Sequence, residues 1–240
     1  GPELEEKERV FDAVMRLHEQ NPMLGLRGCR LGLLFPEIVE MQVKAIAPAA
    51  AKLKLEGLDP TPEIMIPLVG TRNEMALERE RLEGVVKGVF EAQGVKVAYK
   101  FGACMELPRA CLVAGQIAET AEFFSYGTND LTQTTYGYSR DDAEGKFLGE
   151  YLKEKILPSN PFESIDREGV GELVRIGIER GRKQRASLEV GICGEQGGDP
   201  ASVAFCHEVG MNYVSCAPSR VPVARLAAAQ AALGFTPTDR

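Results

Sequence analysis

Short apolar runs, most of them ending near glycine, alternate along this chain with longer stretches whose apolar residues recur at three- and four-residue spacing. Glu63-Ile-Met-Ile-Pro-Leu-Val-Gly70, Val95 to Phe101, Phe123-Phe-Ser-Tyr-Gly127, Leu188-Glu-Val-Gly-Ile-Cys193 and Tyr213-Val-Ser-Cys216 read as buried strands. Leu24 to Gly32 reads as a further short strand leading into a loop. The helical pattern covers Leu4 to about Gln20, where Asn21-Pro22 stops it. It resumes after Phe35-Pro36-Glu37 as far as about Leu55. Thr71 or Asn73 is placed to cap a helix from about Glu74 to Ala92. Pro108 opens a helix to about Thr120, and further helices are expected at 166–185 and 200–207. An alanine-rich helix, begun by Ser219 or Pro222, ends the chain. Tyr136 to Pro161 is the longest stretch with no regular pattern.

Strand and helix in alternation, with short connections, imply a parallel sheet crossed by helices. About six βα units are expected, in an α/β fold of the (β/α)8 TIM-barrel type. A full barrel takes eight strands and roughly 250 residues, so the barrel reads as incomplete, as though its first two strands had been removed. An open doubly wound sheet is the fallback, although no GxGxxG follows the first strand. The expectation is one domain over residues 1–240, with Gly1-Pro2 a possible cleavage scar.

Composition narrows the chemistry. The net charge of −7 and the lack of a basic block exclude a nucleic-acid footprint. No apolar run approaches the roughly 20 residues of a membrane span, and no signal peptide is visible. The six cysteines form no CxxC pair, so they read as reduced thiols of a cytosol-like compartment.

The remaining signal lies where the strands end. Phe123 to Gly127 delivers Thr128, Asn129 and Asp130, and the strand before it delivers Glu106. Carboxylates at adjacent strand ends suit a hard cation such as Mg2+, which takes one or two carboxylates and leaves other positions to water and substrate. Taken singly, Asn129 or Asp130 is more often a helix cap, and a lone carboxylate a cap or a solvated charge; it is the matched strand-end placement of Glu106 and Asp130 that favours a metal pair. Arg27 and Arg30 are two guanidinium forks, able to hold phosphate or carboxylate or to serve as structural ion pairs. Cys193, between Gly191 and Gly194, is a thiol that substrate could reach, whereas Cys104, Cys111 and Cys206 read as core. Gly194-Glu-Gln-Gly-Gly198 lacks the Lys-Ser/Thr of a phosphate loop. Tyr136 to Asp142 is either a mobile loop over the site or a solvated connection.

These segments resemble the C-terminal, phosphoenolpyruvate- and pyruvate-binding part of the pyruvate, phosphate dikinase family of PEP-utilising enzymes. The likeness rests on Arg27-Gly-Cys-Arg-Leu, Ile66-Pro-Leu-Val-Gly-Thr71, Met105-Glu-Leu-Pro-Arg-Ala110 and Gly127-Thr-Asn-Asp-Leu-Thr-Gln133. It extends through Tyr138-Ser-Arg-Asp-Asp142, Gly191-Ile-Cys-Gly-Glu195 and Val214-Ser-Cys to Val221-Pro-Val-Ala-Arg225. The resemblance implies Mg2+ on Glu106 and Asp130, and substrate contacts from Gly127, Thr128 and Asn129. It also implies a phosphoryl-holding Arg27 with Arg30 nearby, and Cys193 as the proton donor to the enolate, with Cys216 a second choice of thiol. It further implies pyruvate and phosphoenolpyruvate as ligands, and a phosphohistidine domain and a nucleotide-binding domain as partners within a longer, ATP-dependent enzyme. A homodimer in the cytoplasm, or in the plastid stroma of a plant, completes the expectation. Gln196, where histidine is usual, and Ala103-Cys104, where Thr-Met is typical, depart from the pattern. Neither His18 nor His207 sits in the phosphohistidine motif. Other classes remain open: a non-catalytic interaction or dimerisation fragment, the equivalent domain of phosphoenolpyruvate synthase or enzyme I of the phosphotransferase system, and a small Mg2+-enolate lyase.

Overall fold

The computed structural model describes residues 1–19 and 22–235. Its framework is one parallel sheet of five strands in strict chain order: β1 (Glu63–Ile66), β2 (Lys100–Cys104), β3 (Phe123–Gly127), β4 (Glu189–Cys193) and β5 (Tyr213–Val214). Every neighbouring pair is parallel, which is the outcome the crossover helices require. Burial follows position in the sheet. In β1 only alternate residues are buried, whereas all five residues of the central β3 are buried, as expected of a strand covered on both faces.

Two glycine–aromatic pairs set the register. Gly102 stands opposite Phe123 and Gly191 opposite Tyr213. A Cβ at either glycine would collide with the ring beside it. The sheet is also curled. Lys100 Nζ on β2 reaches Glu63 of β1 at 2.8 Å and also Glu189 of β4. β2 and β4 are not neighbours, so Lys100 and Glu189 meet across β3 on one face of the sheet, which inward curling favours. This curvature, with strict strand order, is the incomplete-barrel geometry.

The helices are α1 (Pro2–Leu17), α2 (Cys29–Leu34), α3 (Pro36–Leu55), α4 (Arg72–Ala92), α5 (Pro108–Leu112), α6 (Ala114–Ile117), α7 (Thr128–Tyr136), α8 (Arg140–Lys146), α9 (Leu148–Lys153), α10 (Val170–Gln184), α11 (Pro200–Glu208) and α12 (Val221–Ala232). None is long and apolar enough to cross a membrane among the described residues. α4 opens with a capping box: Thr71 Oγ1 accepts the Glu74 N–H while Glu74 Oε2 accepts those of Gly70 and Thr71. Its inner stripe of Met75, Leu82, Val86 and Phe90 also carries Glu78, only 1% exposed. Neither Glu78 oxygen has a hydrogen-bond partner among the described residues. Oε1 faces Gly32 of α2, where a side chain would collide with it. Burial pushes this carboxyl above its ordinary range, against the pull of Arg81.

Several expectations are corrected. The strand expected at Leu24 to Gly32 is absent, so the described residues form five strands where about six were expected. A 3-10 turn at Pro22–Leu24 and helix α2 replace it. Arg30 donates to the carbonyls of Leu24 and Gly25 and folds the segment on itself. Leu24 and Leu26 are exposed, so no buried face holds an extended chain there. The strand expected at Val95 to Phe101 lies later, because pairing with β1 begins at Lys100 opposite Glu63. The helix expected from Pro108 to Thr120 is two short ones, interrupted at Val113. The irregular stretch after Tyr136 folds as α8 and α9 over a small core of Ala143, Leu148 and Phe162. The expected end of the first helix at Asn21 lies outside the described residues.

Candidate functional site

The segments that follow or end β2, β3 and β4 converge on one cleft, and the peptide after β1 braces it from behind. Leu68 has a positive φ of 57°, uncommon for a residue with a side chain. In that conformation its N–H is directed to Glu106 Oε1, at 2.6 Å. The carbonyls on either side of the same peptide, those of Pro67 and Leu68, accept the Cys29 N–H at 3.0 Å and the Cys29 thiol at 3.3 Å. One bend therefore fixes both Glu106 and the segment bearing Arg27.

Gly127, at the end of β3, makes room for what surrounds it. A Cβ there would lie 2.7 Å from Glu106 Oε2 and 2.8 Å from Cys104 Sγ. α7 starts directly after it with no side-chain cap, so the free N–H groups of its first turn border the cleft. Asn129 Oδ1 accepts the Glu195 N–H at 3.2 Å, which leaves Nδ2 as the half of its amide able to donate to a ligand. Gln133 Nε2 donates to Asp130 Oδ1 at 3.2 Å, and Gln133 Oε1 accepts the Arg140 N–H at 2.9 Å.

The electrostatics centre on two carboxylates and one arginine. Burial raises the Glu106 carboxyl, opposed by the Leu68 N–H, while the nearby Asp130 charge raises it further and Arg27 lowers it. Burial likewise raises Asp130, and Arg27 and Gln133 oppose it. Two desolvated carboxylates sharing one guanidinium are a donor set that a divalent cation would complete. No group of three or more His, Cys, Asp or Glu side chains able to hold a metal occurs among the described residues. The Cys193 thiol is lowered to about 7, chiefly because Cys104 donates to it, with Ser125 helping and burial opposing. Its partner Cys104 is pushed up, first by that same interaction and then by burial.

The cleft has a volume of about 410 Å³ and is lined by Arg27, Glu106, Gly127, Asn129, Asp130 and Cys193, together with Met23, Gln133, Ser139, Arg140, Asp141 and Gly194. Three residues singled out from sequence stand elsewhere. Arg30 spends its guanidinium on the Leu24 and Gly25 carbonyls and does not line the cleft. Thr128 is fully buried, with its hydroxyl turned to Gln196 Oε1 at 2.7 Å. Cys216 borders a neighbouring hollow of about 440 Å³ with Asn129, Ser215 and Arg220. Arg140 escaped the sequence reading as a site residue. It pairs with Glu195 at 2.6 Å and lies over the Phe162 ring, a placement set by α8, which sequence patterning missed.

A curled parallel sheet thus presents two carboxylates, two arginines, a helix N-terminus and a thiol to one cleft. Residues 5–233 match the family model described as PEP-utilising enzyme, PEP-binding domain, and the chain belongs to that family. Among individual proteins it is similar to pyruvate, phosphate dikinases. It is 55% identical to pyruvate, phosphate dikinase 2 of Oryza sativa subsp. japonica over 95% of the chain and 26% of that protein. It is 56% identical to the pyruvate, phosphate dikinase of Clostridium symbiosum over 92% of the chain and 25% of that protein. To the chloroplastic enzyme 1 of Arabidopsis thaliana it is 55% identical, over 93% of the chain and 23% of that protein. The chain thus spans about a quarter of the length of these relatives.

Proposed function

We propose that this chain is the substrate- and Mg2+-binding part of a dikinase that moves a phosphoryl group between a phosphohistidine and pyruvate, giving phosphoenolpyruvate. The observation that carries this reading is the convergence of Glu106, Asp130, Arg27 and Cys193 on one cleft. Glu106 and Asp130 would hold the cation, with its remaining positions open to water and substrate oxygens. When bound, Mg2+ supplies electrostatic stabilisation to the negative charge developing on the pyruvate oxygen.

The protein's own residues account for the rest. Arg27, and Arg140 once released from Glu195, offer planar forks to the phosphoryl and carboxylate oxygens. Asn129 Nδ2 and the first N–H groups of α7 donate to developing oxyanion charge. Cys193 Sγ takes a proton from the methyl carbon of pyruvate as the enolate forms, and returns it to the methylene carbon in the reverse direction. A thiol lowered to about 7 populates both forms near neutrality. The phosphohistidine and the nucleotide site belong to parts of the full-length protein outside this chain. The outer edges of β1 and β5 have no partner strand among the described residues, and we include self-association through them in the proposal.

Calorimetric titration with oxalate, a planar dianion resembling the enolate, tests the reading. Binding should require Mg2+ and disappear in the Glu106→Gln, Asp130→Asn double variant. Binding that is indifferent to Mg2+, or that survives in the double variant, refutes it.

A further inference from the structure

Gln196 lies at the start of the 3-10 turn Glu195–Gly198 and is wholly buried. Its amide can be oriented in only one way. The Pro161 carbonyl can only accept, so Nε2 must face it, at 2.9 Å. Oε1 is then turned to Thr128 Oγ1 at 2.7 Å, closer than the Cys193 carbonyl at 3.3 Å, which is the other acceptor within reach of the same hydroxyl. Gly194, at φ 122°, covers the same hydroxyl so closely that any Cβ would collide with it. Both ends of the clasp lead to the cleft. Thr128 opens α7, and Pro161 precedes Phe162, whose ring carries the Arg140 guanidinium at 5.7 Å.

We propose that Gln196 is a positioning residue for the site. Its amide clasps Thr128 to the Pro161 segment, so that Thr128 serves the ligand through its backbone N–H while its hydroxyl is internal. This rests on the ligand reading given above. It goes beyond it by making a residue with no access to the cleft set the geometry of the anion-binding turn. Losing either half of the clasp carries a desolvation cost: without Gln196 the Pro161 carbonyl loses its donor, and without the Thr128 hydroxyl Gln196 Oε1 loses its own. The turn escapes that cost by shifting Thr128, and with it Asn129 and Asp130.

The test is a double-variant cycle on the 240-residue chain with Gln196→Leu, Thr128→Val, both together, and Thr128→Ser, which keeps the hydroxyl. Mg2+-dependent oxalate affinity, melting temperature and amide exchange at Leu131 and Thr132, whose N–H groups close the first turn of α7, are measured for each. Gln196→Leu and Thr128→Val should each weaken oxalate about tenfold and speed exchange at those two amides. The double variant should be no worse than either single one, and Thr128→Ser should stay within about twofold of wild type. Additive losses, or single variants with wild-type affinity and exchange, overturn the proposal. If the wild-type chain binds no oxalate, the ligand reading fails and the exchange cycle alone decides the clasp. If Gln196→Leu does not fold, the comparison of Thr128→Val with Thr128→Ser decides it.

Discussion

The buried carboxyl of Glu78 makes a quantitative prediction about stability. The side chain is packed beneath α2 with no hydrogen bond to either oxygen among the described residues. An unpartnered buried polar group costs about 1–3 kcal/mol. Ionisation costs more, so the folded-state pKa is raised from its ordinary 4.5. The sign follows from proton counting. Between the unfolded and folded pKa values the native state holds more protons, so stability falls as pH rises through that window. Glu78→Met removes the orphan atoms as well as the charge and should stabilise by about 1–3 kcal/mol above the window. At roughly 2–4 °C per kcal/mol for a domain of this size, its melting temperature should rise by about 2–12 °C at pH 8. Glu78→Gln keeps an unpartnered amide but cannot ionise, so it should match wild type near pH 4 and gain on it as pH rises. Thermal melts by circular dichroism at pH 4, 6 and 8 read both variants. If Glu78→Gln lowers the melting temperature equally at all three, Glu78 has a partner in solution and the reasoning is wrong.

Other outcomes follow from the site. Gly127→Ala drives a methyl group into Glu106 and Cys104 and should cost about 1–3 kcal/mol of stability; calorimetry should also show Mg2+-dependent oxalate binding weakened more than tenfold. Arg27→Leu removes the cation that lowers both carboxylates, so the pH at which Mg2+ binding is half-complete should move upward; a downward or absent shift would separate Arg27 from the pair. Cys193 should alkylate with iodoacetamide with a midpoint near pH 7, whereas Cys29, Cys111 and Cys206, pushed to about 12 by burial, should stay unmodified in the folded chain. Mass spectrometry of the labelled peptides distinguishes them.

How much of this could be read from sequence depended on the kind of signal. Strands β1, β3 and β4 are short apolar runs that end near glycine or proline, and in β3 and β4 the type was legible because burial on both faces needs such runs. Glu106, Asp130 and Cys193 were legible as groups at or near strand ends, and Arg27 as a guanidinium in a glycine-punctuated segment. The segment at Leu24 to Gly32 was not, because its apolar residues mimic a strand while long-range bonds from Cys29 to Pro67 and Leu68 hold it in a helical turn. The inward turn of Thr128 depends on Gln196, 68 residues away, and local spacing carries no trace of that bond. Arg140 reaches the cleft only because α8 forms, and that short helix rests on a small core rather than on a strong periodic pattern.

The paired Gly102–Phe123 and Gly191–Tyr213 positions also bear on how the chain finds its structure. Parallel pairing joins segments distant in sequence, so a folding chain searches among offsets that differ little in hydrogen bonding. A one-residue slip would set either ring against a neighbour bearing Cβ, and it would turn buried side chains to the opposite face. The glycines therefore act as notches into which only the correctly aligned aromatic fits. They penalise mispaired intermediates before the helices close over them, and a Gly102→Ala chain should be found in slow refolding phases and aggregates as well as in a lowered melting temperature.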